Sequence, residues 1–224
     1  MVIPVKKTSS NEKNIALSNL GNKKLICWTI DEALNAKFID KVIISTDDME
    51  LISFLKKTYN KKISIYKRTQ KVQFENVDYN LSVIDSVKKY YKKKPDLLII
   101  SHFTTPFKKS FYYEKAVNTM LLHKNDRILS LSKDIKYNLY KFKKGNLVQI
   151  NEKIDTILKL ERDQIYQESG GLYVFNYERF LKHHENTNEF NTNYIILDKK
   201  SSFEIYDDID LQIANKVIKN VSYT

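Results

Sequence analysis

The chain has 224 residues and a formal net charge of +11, from 38 lysines and arginines against 27 aspartates and glutamates. A hydrophobic content of 42% and a charged content of 29% are ordinary for a soluble globular protein of one domain. The apolar runs are too short to span a membrane, and the single cysteine, Cys27, excludes an intramolecular disulfide.

The positive charge indicates a polyanionic partner. Nucleic acid is one such partner, but the lysines are spread along the chain and interleaved with acidic residues. The densest group, at 88–94, is typical of the last turn of a helix, where the helix dipole favours cations. We therefore expect no nucleic acid and no membrane, and instead a small polyanion such as a nucleoside triphosphate. Pro4 and the lysines after it interrupt any signal-peptide core, which predicts a cytoplasmic protein.

Short apolar strands alternate with amphipathic helices over the first 132 residues. Strands are predicted at 2–5, 41–45, 63–66, 97–101 and 127–132, and helices at 25–36, 49–59, 79–91 and 111–123. This alternation predicts an α/β, Rossmann-like fold with a mostly parallel sheet between helices.

The pattern changes after about residue 137. A hairpin is predicted over 137–148 with Gly145 near its turn, followed by strands at 171–175 and 194–197 and a closing helix at 208–219. We interpret residues 1–224 as one domain that carries a hairpin insertion at about 133–197.

The loop after the first strand is cationic and lacks glycine. Because backbone N–H groups approach phosphate closely mainly in glycine-rich loops, a phosphate here would be held mainly by Lys6, Lys7 and Lys13. Asp47 and Asp48 follow the next strand, where they either cap a helix or face a ligand at the sheet edge.

Three later groups of polar residues also follow or precede strands. His102, with Thr104 and Thr105, follows the most buried strand, and its alternatives are a ligand contact and a structural strand end. The pair Gly170-Gly171 permits either a close ligand approach or a bulge. The acidic run at 204–210 either favours the start of the last helix by its charge or binds Mg²⁺ through oxygen ligands.

Six blocks of sequence, in order, carry a resemblance to a known family. Residues 3–14 resemble I-P-A-R-G-G-S-K…K-N, 20–30 resemble L-G-G-K-P-L-I-x-Y-T-I, and 42–48 resemble V-V-V-S-T-D-D. Residues 100–108 resemble L-L-Q-P-T-S-P-L-R, 166–175 resemble Y-R-x-N-G-A-I-Y-V-F, and 204–211 resemble D-I-D-T-x-x-D-L. These are motifs of the acylneuraminate cytidylyltransferase family, which includes the CMP-sialic acid synthetases and is related to the CMP-Kdo synthetases.

The resemblance implies a nucleotide-diphospho-sugar transferase fold and a CTP-dependent nucleotidyltransferase. The anomeric hydroxyl of an acidic sugar, sialic-acid-like or Kdo-like, attacks the α-phosphorus of CTP and pyrophosphate leaves. Mg²⁺ and basic side chains stabilise the charge that develops. The family also implies a homodimer formed through the hairpin insertion and a role in surface glycan biosynthesis.

The resemblance also implies roles for individual residues. The catalytic residues are Lys6 and Lys13. The nucleotide-binding residues are Val5, Lys6, Lys7, Ser9, Lys13, Asn14 and Asp47. The substrate-binding residues are His102, Thr104, Thr105, Tyr166, Ser169 and Gly170. The metal ligands are Glu204, which aligns with the first family aspartate, and Asp207 or Asp208, which would replace the second by a small shift.

The chain departs from the family at the phosphate and metal ends. Both loop glycines are replaced, by Lys7 and Thr8, and the two metal-holding aspartates align with Glu204 and Tyr206. Tyrosine is a poor substitute for a carboxylate ligand at neutral pH. The alternatives to a working cytidylyltransferase are a catalytically impaired homologue with a regulatory or structural role and a nucleotidyltransferase with another triphosphate and sugar.

Overall fold

A computed structural model of the chain describes residues 1–6, 14–68, 79–133, 140–143, 146–149, 166–185 and 190–221. The strands are β1 (Val2–Val5), β2 (Asn19–Leu20), β3 (Lys23–Lys24), β4 (Ile43–Thr46), β5 (Ser64–Lys67), β6 (Leu97–Ser101), β7 (Arg127–Lys133), β8 (Tyr140–Lys143), β9 (Asn146–Gln149), β10 (Tyr166–Asn176) and β11 (Thr192–Leu197). The helices are α1 (Leu25–Asn35), α2 (Met49–Tyr59), α3 (Tyr79–Tyr90), α4 (Ser110–His123), α5 (Tyr177–Glu185) and α6 (Asp208–Val221), with short 3-10 turns at Ile15–Leu17 and Asn60–Lys62.

Seven strands form one sheet in the order β11-β7-β10-β6-β1-β4-β5. All of them run parallel except β10, which is antiparallel to both β6 and β7. The carboxyl ends of six strands therefore meet at one edge, together with the beginning of β10. This arrangement confirms the predicted α/β fold with a mostly parallel sheet.

Both faces of the sheet are covered, which explains why its strands are apolar at consecutive positions. In β1, Ile3 and Val5 point into the cluster under α1 and α4, whereas Val2 points into the cluster under α3. Helix α1 buries Ile26, Ile30 and Ala33 at helical spacing against the first of these faces.

The predicted elements of the first 132 residues are present within one or two residues of their predicted ends. Helix α5 and the strand pair β2–β3 are absent from the sequence prediction. The signal for α5 is short: Tyr177 and Phe180 pack into the core three residues apart, and Asn176 Oδ1 accepts from Arg179 N at 3.0 Å. A nine-residue helix with so few apolar positions is hard to distinguish from a loop.

The range predicted as an insertion, about 133–197, contains two kinds of structure. Strand β10 lies inside the main sheet and β11 forms its edge, so both are part of the domain core. The predicted hairpin is present as β8 and β9, which pair only with each other among the described strands. Within the described ranges, no helix is both long and apolar enough to cross a membrane.

Candidate active site

The predicted site residues that the structure describes lie mainly at the carboxyl edge of the sheet. Lys6 follows β1, Asp47 follows β4, and His102 follows β6. Ser169 and Gly170 lie in the first half of β10, which starts at the same edge. Three predicted residues, Lys7, Ser9 and Lys13, lie outside the described residues.

Asn14 and Asp48 connect the first loop to α2. The Nδ2 atom of Asn14 donates to Asp48, and Oδ1 of Asn14 accepts from Ala16 N at 3.0 Å. Asp48 caps α2, because its Oδ1 accepts from the backbone N–H groups of Glu50 at 2.9 Å and Leu51 at 3.1 Å. Of the two alternatives for this acidic pair, the helix cap therefore applies to Asp48, while Asp47 remains partly exposed at the edge.

Arg68 adds a cation that the sequence analysis missed. Its guanidinium donates to the carbonyl oxygens of Val5 and, at 2.9 Å, of Ser45, so it lies between the ends of β1 and β4. Burial lowers the pKa of Arg68 and the nearby Asp47 carboxylate opposes that shift. The sequence signal is positional: Arg68 follows β5 directly, as Lys6 follows β1.

The two adjacent glycines form a bulge in β10. Both have positive φ, +80° at Gly170 and +49° at Gly171, and the pairing with β7 shifts between Glu168 and Tyr173. The hydroxyl of Ser130 donates to the carbonyl of Ser169 and accepts from Leu172 N at 3.1 Å, so it bridges the gap in the ladder. A Cβ at Gly170 would fall 2.2 Å from Cδ1 of Leu197, so any other residue would require the Leu197 side chain to move and would also be strained by the positive φ.

Lys108 ties the loop after β6 to this bulge. It is 1% exposed, and its Nζ donates to the carbonyls of His102 and Gly170 and to Thr105 Oγ1. Thr105 Oγ1 in turn lies 2.8 Å from the carbonyl oxygen of Gly170. Burial lowers the pKa of Lys108 to about 7, although the Glu204 carboxylate acts in the opposite direction. The sequence analysis missed Lys108, which occupies the arginine position of the family block.

Two pockets open next to the bulge. The larger has a volume of about 390 Å³ and is lined by nine polar residues and one phenylalanine: Ser132, Lys133, Gln167, Ser169, Lys199, Ser202, Glu204, Tyr206, Asp210 and Phe203. The smaller, about 280 Å³, is lined by Asn80, His102, Arg127, Tyr173 and Phe175. The N–H of Gly170 donates at 3.0 Å to Oε1 of Glu204, which lines the first pocket. Gly171 packs against the ring of His102, which lines the second pocket.

The remaining predicted substrate residues take different positions. Burial, with the nearby Lys108 charge, lowers the pKa of His102, and its ring lies 5.9 Å from that of Tyr173. Thr104 contributes its carbonyl, which accepts from Ile205 N at 2.8 Å. Tyr166 packs against the ring of Tyr194 and lies outside the linings of both pockets.

The predicted magnesium ligands are not brought together. Asp207 Oδ1 accepts from Asp210 N at 2.9 Å, and Asp208 begins α6 on the surface. Glu204 Oε2 accepts from the hydroxyl of Tyr206, a residue that is 69% exposed. Partial burial of the hydroxyl, its hydrogen bond to Glu204 and the charges of Glu204 and Asp210 raise the pKa of Tyr206 to about 12. In the described part of the chain, no three His, Cys, Asp or Glu side chains form a group that would hold a metal. The described residues therefore form no preassembled magnesium site, and Glu204 is the one predicted metal ligand that lines the larger pocket.

A sequence model of the cytidylyltransferase family matches residues 2–209. The chain belongs to the cytidylyltransferase family. Its curated relatives include post-translational flagellin modification protein B of Campylobacter coli, 22% identical over 217 residues that cover 94% of this chain and 91% of the relative. Another is the N-acylneuraminate cytidylyltransferase of Escherichia coli, 23% identical over 227 residues that cover 95% of this chain and half of the relative.

Solved structures of cytidylyltransferases share the fold. The 4-diphosphocytidyl-2C-methyl-D-erythritol synthase of Anaerococcus prevotii superimposes with a TM-score of 0.67 at 16% identity, covering 97% of this chain and 96% of that one. CMP:2-keto-3-deoxy-manno-octonic acid synthetase in complex with CTP gives a TM-score of 0.68 at 11% identity, covering 98% of both chains.

Family membership confirms the resemblance inferred from the six sequence blocks. It also confirms the prediction of a CTP-dependent nucleotidyltransferase, and it supports a sugar-like substrate at the level of the family.

Proposed function

We propose that the protein transfers CMP from CTP to an acidic sugar and releases pyrophosphate. The observation that carries this proposal is the larger pocket at the carboxyl edge, because its lining combines two lysines and two carboxylates with four hydroxyl groups and one amide. Ligands of open α/β sheets bind at this edge.

CTP binds, in this proposal, at the ends of β1, β4 and β5. Lys6 and Arg68 supply positive charge there, and Asp47 supplies an acceptor for the nucleoside. The predicted contributions of Lys7, Ser9 and Lys13 belong to the same end. Fixed cations next to the phosphates stabilise the negative charge that develops during transfer.

The sugar binds in the larger pocket. Lys133 at the end of β7 and Lys199 after β11 provide two cations for a sugar carboxylate. Ser169 and Gln167 provide partners for hydroxyl groups on the same wall. A volume of about 390 Å³ lies in the range of small-ligand sites.

The named relatives support an acidic substrate. The Escherichia coli relative is an N-acylneuraminate cytidylyltransferase, and one structural neighbour makes a CMP derivative of an octonic acid. The Campylobacter coli relative is named for flagellin modification, which supports a use of the product in surface glycans. A cytoplasmic location of the enzyme is part of the same proposal.

The reaction is an in-line displacement at phosphorus. The oxygen of the sugar hydroxyl forms a bond to the α-phosphorus, and the bond from that phosphorus to the oxygen bridging it to the β-phosphorus breaks. Pyrophosphate leaves, and the hydroxyl proton passes to a carboxylate of the pocket lining, Glu204 or Asp210, or to solvent. Holding the sugar and CTP in line supplies much of the rate enhancement.

A homodimer is part of the proposal. The hairpin β8–β9 presents Phe142, 79% exposed, directly opposite Leu147, 59% exposed. Such a cross-strand apolar pair gains free energy when a second copy covers it. Light scattering of the intact protein, compared with a Phe142→Ser variant, tests this assignment.

Pyrophosphate release from the purified protein tests the function. The assay combines CTP with a panel of sialic-acid-like and Kdo-like sugars, with neutral sugars as controls, and repeats each with ATP, GTP and UTP. Release with CTP and one acidic sugar, with the CMP-sugar identified by mass, is expected. Release with another triphosphate would favour a different specificity, and no release from folded protein would favour an impaired homologue.

A further inference from the structure

We infer that Tyr206 has taken the place of a metal-holding carboxylate, so that a protein hydroxyl rather than a divalent cation is the partner of Glu204. The inference concerns the sugar pocket and deepens the proposed function, on which it rests for the identity of the site. Its test does not depend on turnover.

The first observation is that both oxygens of Glu204 have protein donors. Oε1 accepts from the backbone N–H of Gly170 at 3.0 Å, and Oε2 accepts from the hydroxyl of Tyr206. A carboxylate that ligates a metal presents an oxygen lone pair to the ion. Here the hydroxyl of Tyr206 donates to Oε2 and so uses one of the lone pairs of that oxygen.

The second observation concerns the chemistry of the replacement. A phenol has an ordinary pKa near 10, so Tyr206 presents a neutral donor at neutral pH where an aspartate would present an anionic acceptor. Mg²⁺ binds through oxygen ligands in a near-octahedral arrangement and prefers carboxylates. Exchanging aspartate for tyrosine removes one negative charge. It also supplies a hydroxyl group that donates a hydrogen bond to the remaining carboxylate, that of Glu204.

The third observation is that the neighbouring carboxylates are used elsewhere. Asp210 Oδ2 accepts from Tyr206 N at 3.0 Å, and Asp207 Oδ1 accepts from Asp210 N at 2.9 Å. Both therefore stabilise the first turn of α6. Asp210 is the second carboxylate in the lining of the larger pocket, but within the described ranges it does not join Glu204 in a group of acidic side chains that would hold a metal.

Two consequences follow for the protein. The free protein lacks a divalent-cation site on this wall, so a cation that takes part in the reaction arrives with the triphosphate, whose oxygens are its usual ligands. The hydrogen-bonded pair instead presents fixed polar groups to the sugar: Glu204 and Tyr206 both line the larger pocket.

The experiment measures Mn²⁺ binding to the full chain without nucleotide, by electron paramagnetic resonance and calorimetry. The wild type is compared with Tyr206→Asp, Tyr206→Phe, Glu204→Gln and the double variant Glu204→Gln/Tyr206→Asp. We expect no Mn²⁺ binding that depends on Glu204 in the wild type. In Tyr206→Asp we expect one new site, with roughly tenfold tighter Mn²⁺ binding than the residual binding of the wild type. The double variant should lose that site, and circular dichroism checks that every variant is folded.

Two results would overturn the inference. One is a Mn²⁺ site in the wild type that Glu204→Gln removes, since Glu204 would then already ligate a metal. The other is the absence of a new Mn²⁺ site in folded Tyr206→Asp, since Tyr206 would then not be the residue that prevents metal binding at Glu204. Neither result depends on whether pyrophosphate is released, so failure of the proposed function and failure of this inference are separable.

Discussion

The imidazole of His102 lies directly against the backbone of Gly171. A Cβ at Gly171 would fall 2.6 Å from Cγ and Nδ1 of that ring, and the backbone N–H of His102 donates to the Gly171 carbonyl at 2.9 Å. The loop after β6 and the bulge of β10 therefore fit together only without a side chain at this position. Because the N–H of Gly170 donates to Glu204 in the lining of the larger pocket, this junction fixes the wall between the two pockets.

Replacing Gly171 by alanine should destabilise the protein by about 2 kcal/mol. The left-handed backbone, with φ of +49°, disfavours any Cβ, and the contact with the His102 ring adds to that penalty. Urea unfolding of Gly171→Ala against the wild type measures the difference.

Gly21 offers a matched control for the glycine prediction. It also has positive φ, +62°, but a Cβ there would meet its nearest neighbour at an ordinary 3.6 Å. Gly21→Ala should therefore lose only the stability that a Cβ costs in the left-handed backbone conformation. Combining Gly171→Ala with His102→Ala should recover the stability lost through the contact with the His102 ring. Equal losses at the two glycines would contradict the role assigned to the His102 contact.

Buried Lys108 should make the stability of the protein depend on pH. Burial lowers its pKa to about 7, whereas in the unfolded chain it titrates near 10.5. Between these values the unfolded state holds a proton that the folded state lacks. The free energy of unfolding therefore rises with pH in that window, by at most about 1.4 kcal/mol per pH unit. Below pH 7 Lys108 is protonated in both the folded and the unfolded state, so the full free-energy cost of burying its charge lowers the stability of the protein.

Comparing Lys108→Met with Lys109→Met isolates this contribution. Lys109 is the adjacent exposed lysine, in an ion pair with Glu32 at 2.9 Å, so Lys109→Met controls for the loss of a lysine at the protein surface. In Lys108→Met the rise between pH 7 and 10.5 should be reduced. Parallel stability curves for Lys108→Met and the wild type would show that Lys108 keeps its proton when buried.

The sequence predicted the sheet because strand and helix periods are local properties. The covered strands carry continuous apolar runs, such as Ile43 and Ile44 of β4, and their ends carry polar residues. It did not predict that β10 enters the sheet antiparallel between β6 and β7, which depends on contacts between segments far apart in the chain. The extent of β10 was also underestimated, since its glycine bulge interrupts the apolar pattern on which strand prediction relies.

The placement of several predicted residues at the carboxyl edge of the sheet has the same local origin, whereas their roles stay predictions. Residues at strand ends were identified because position along a strand is readable from sequence. Arg68 and Lys108 were missed because their importance arises from burial against backbone carbonyls of other segments. The metal assignment to Glu204, Asp207 and Asp208 treated neighbouring carboxylates as one group, whereas the start of α6 uses Asp207 as a cap.

Asp48 should contribute to stability through the cap of α2. Its carboxylate accepts from two N–H groups of the first turn and from Asn14, so Asp48→Ala should lower the free energy of unfolding by about 1 to 2 kcal/mol. Asp47→Ala is the matched control, because the neighbouring carboxylate does not cap the helix, and it should cost less. A loss at Asp47 equal to that at Asp48 would contradict the assignment of the cap.

Lys199 and Lys133 should determine how tightly the acidic sugar binds. Replacing either by alanine removes a charged donor from the larger pocket, which is expected to cost about 1.5 to 3 kcal/mol of sugar binding, or roughly tenfold to a hundredfold in kcat/KM for the sugar. The KM for CTP should stay unchanged, since the nucleotide is assigned to the ends of β1, β4 and β5.

Lys200→Ala is the matched control, because Lys200 lies over the ring of Phe107 and outside the pocket lining. Steady-state kinetics with each substrate varied separately distinguish these effects. A rise in the KM for CTP, with the sugar KM unaffected, would move the lysines to the triphosphate and leave the carboxylate of the sugar to be recognised elsewhere.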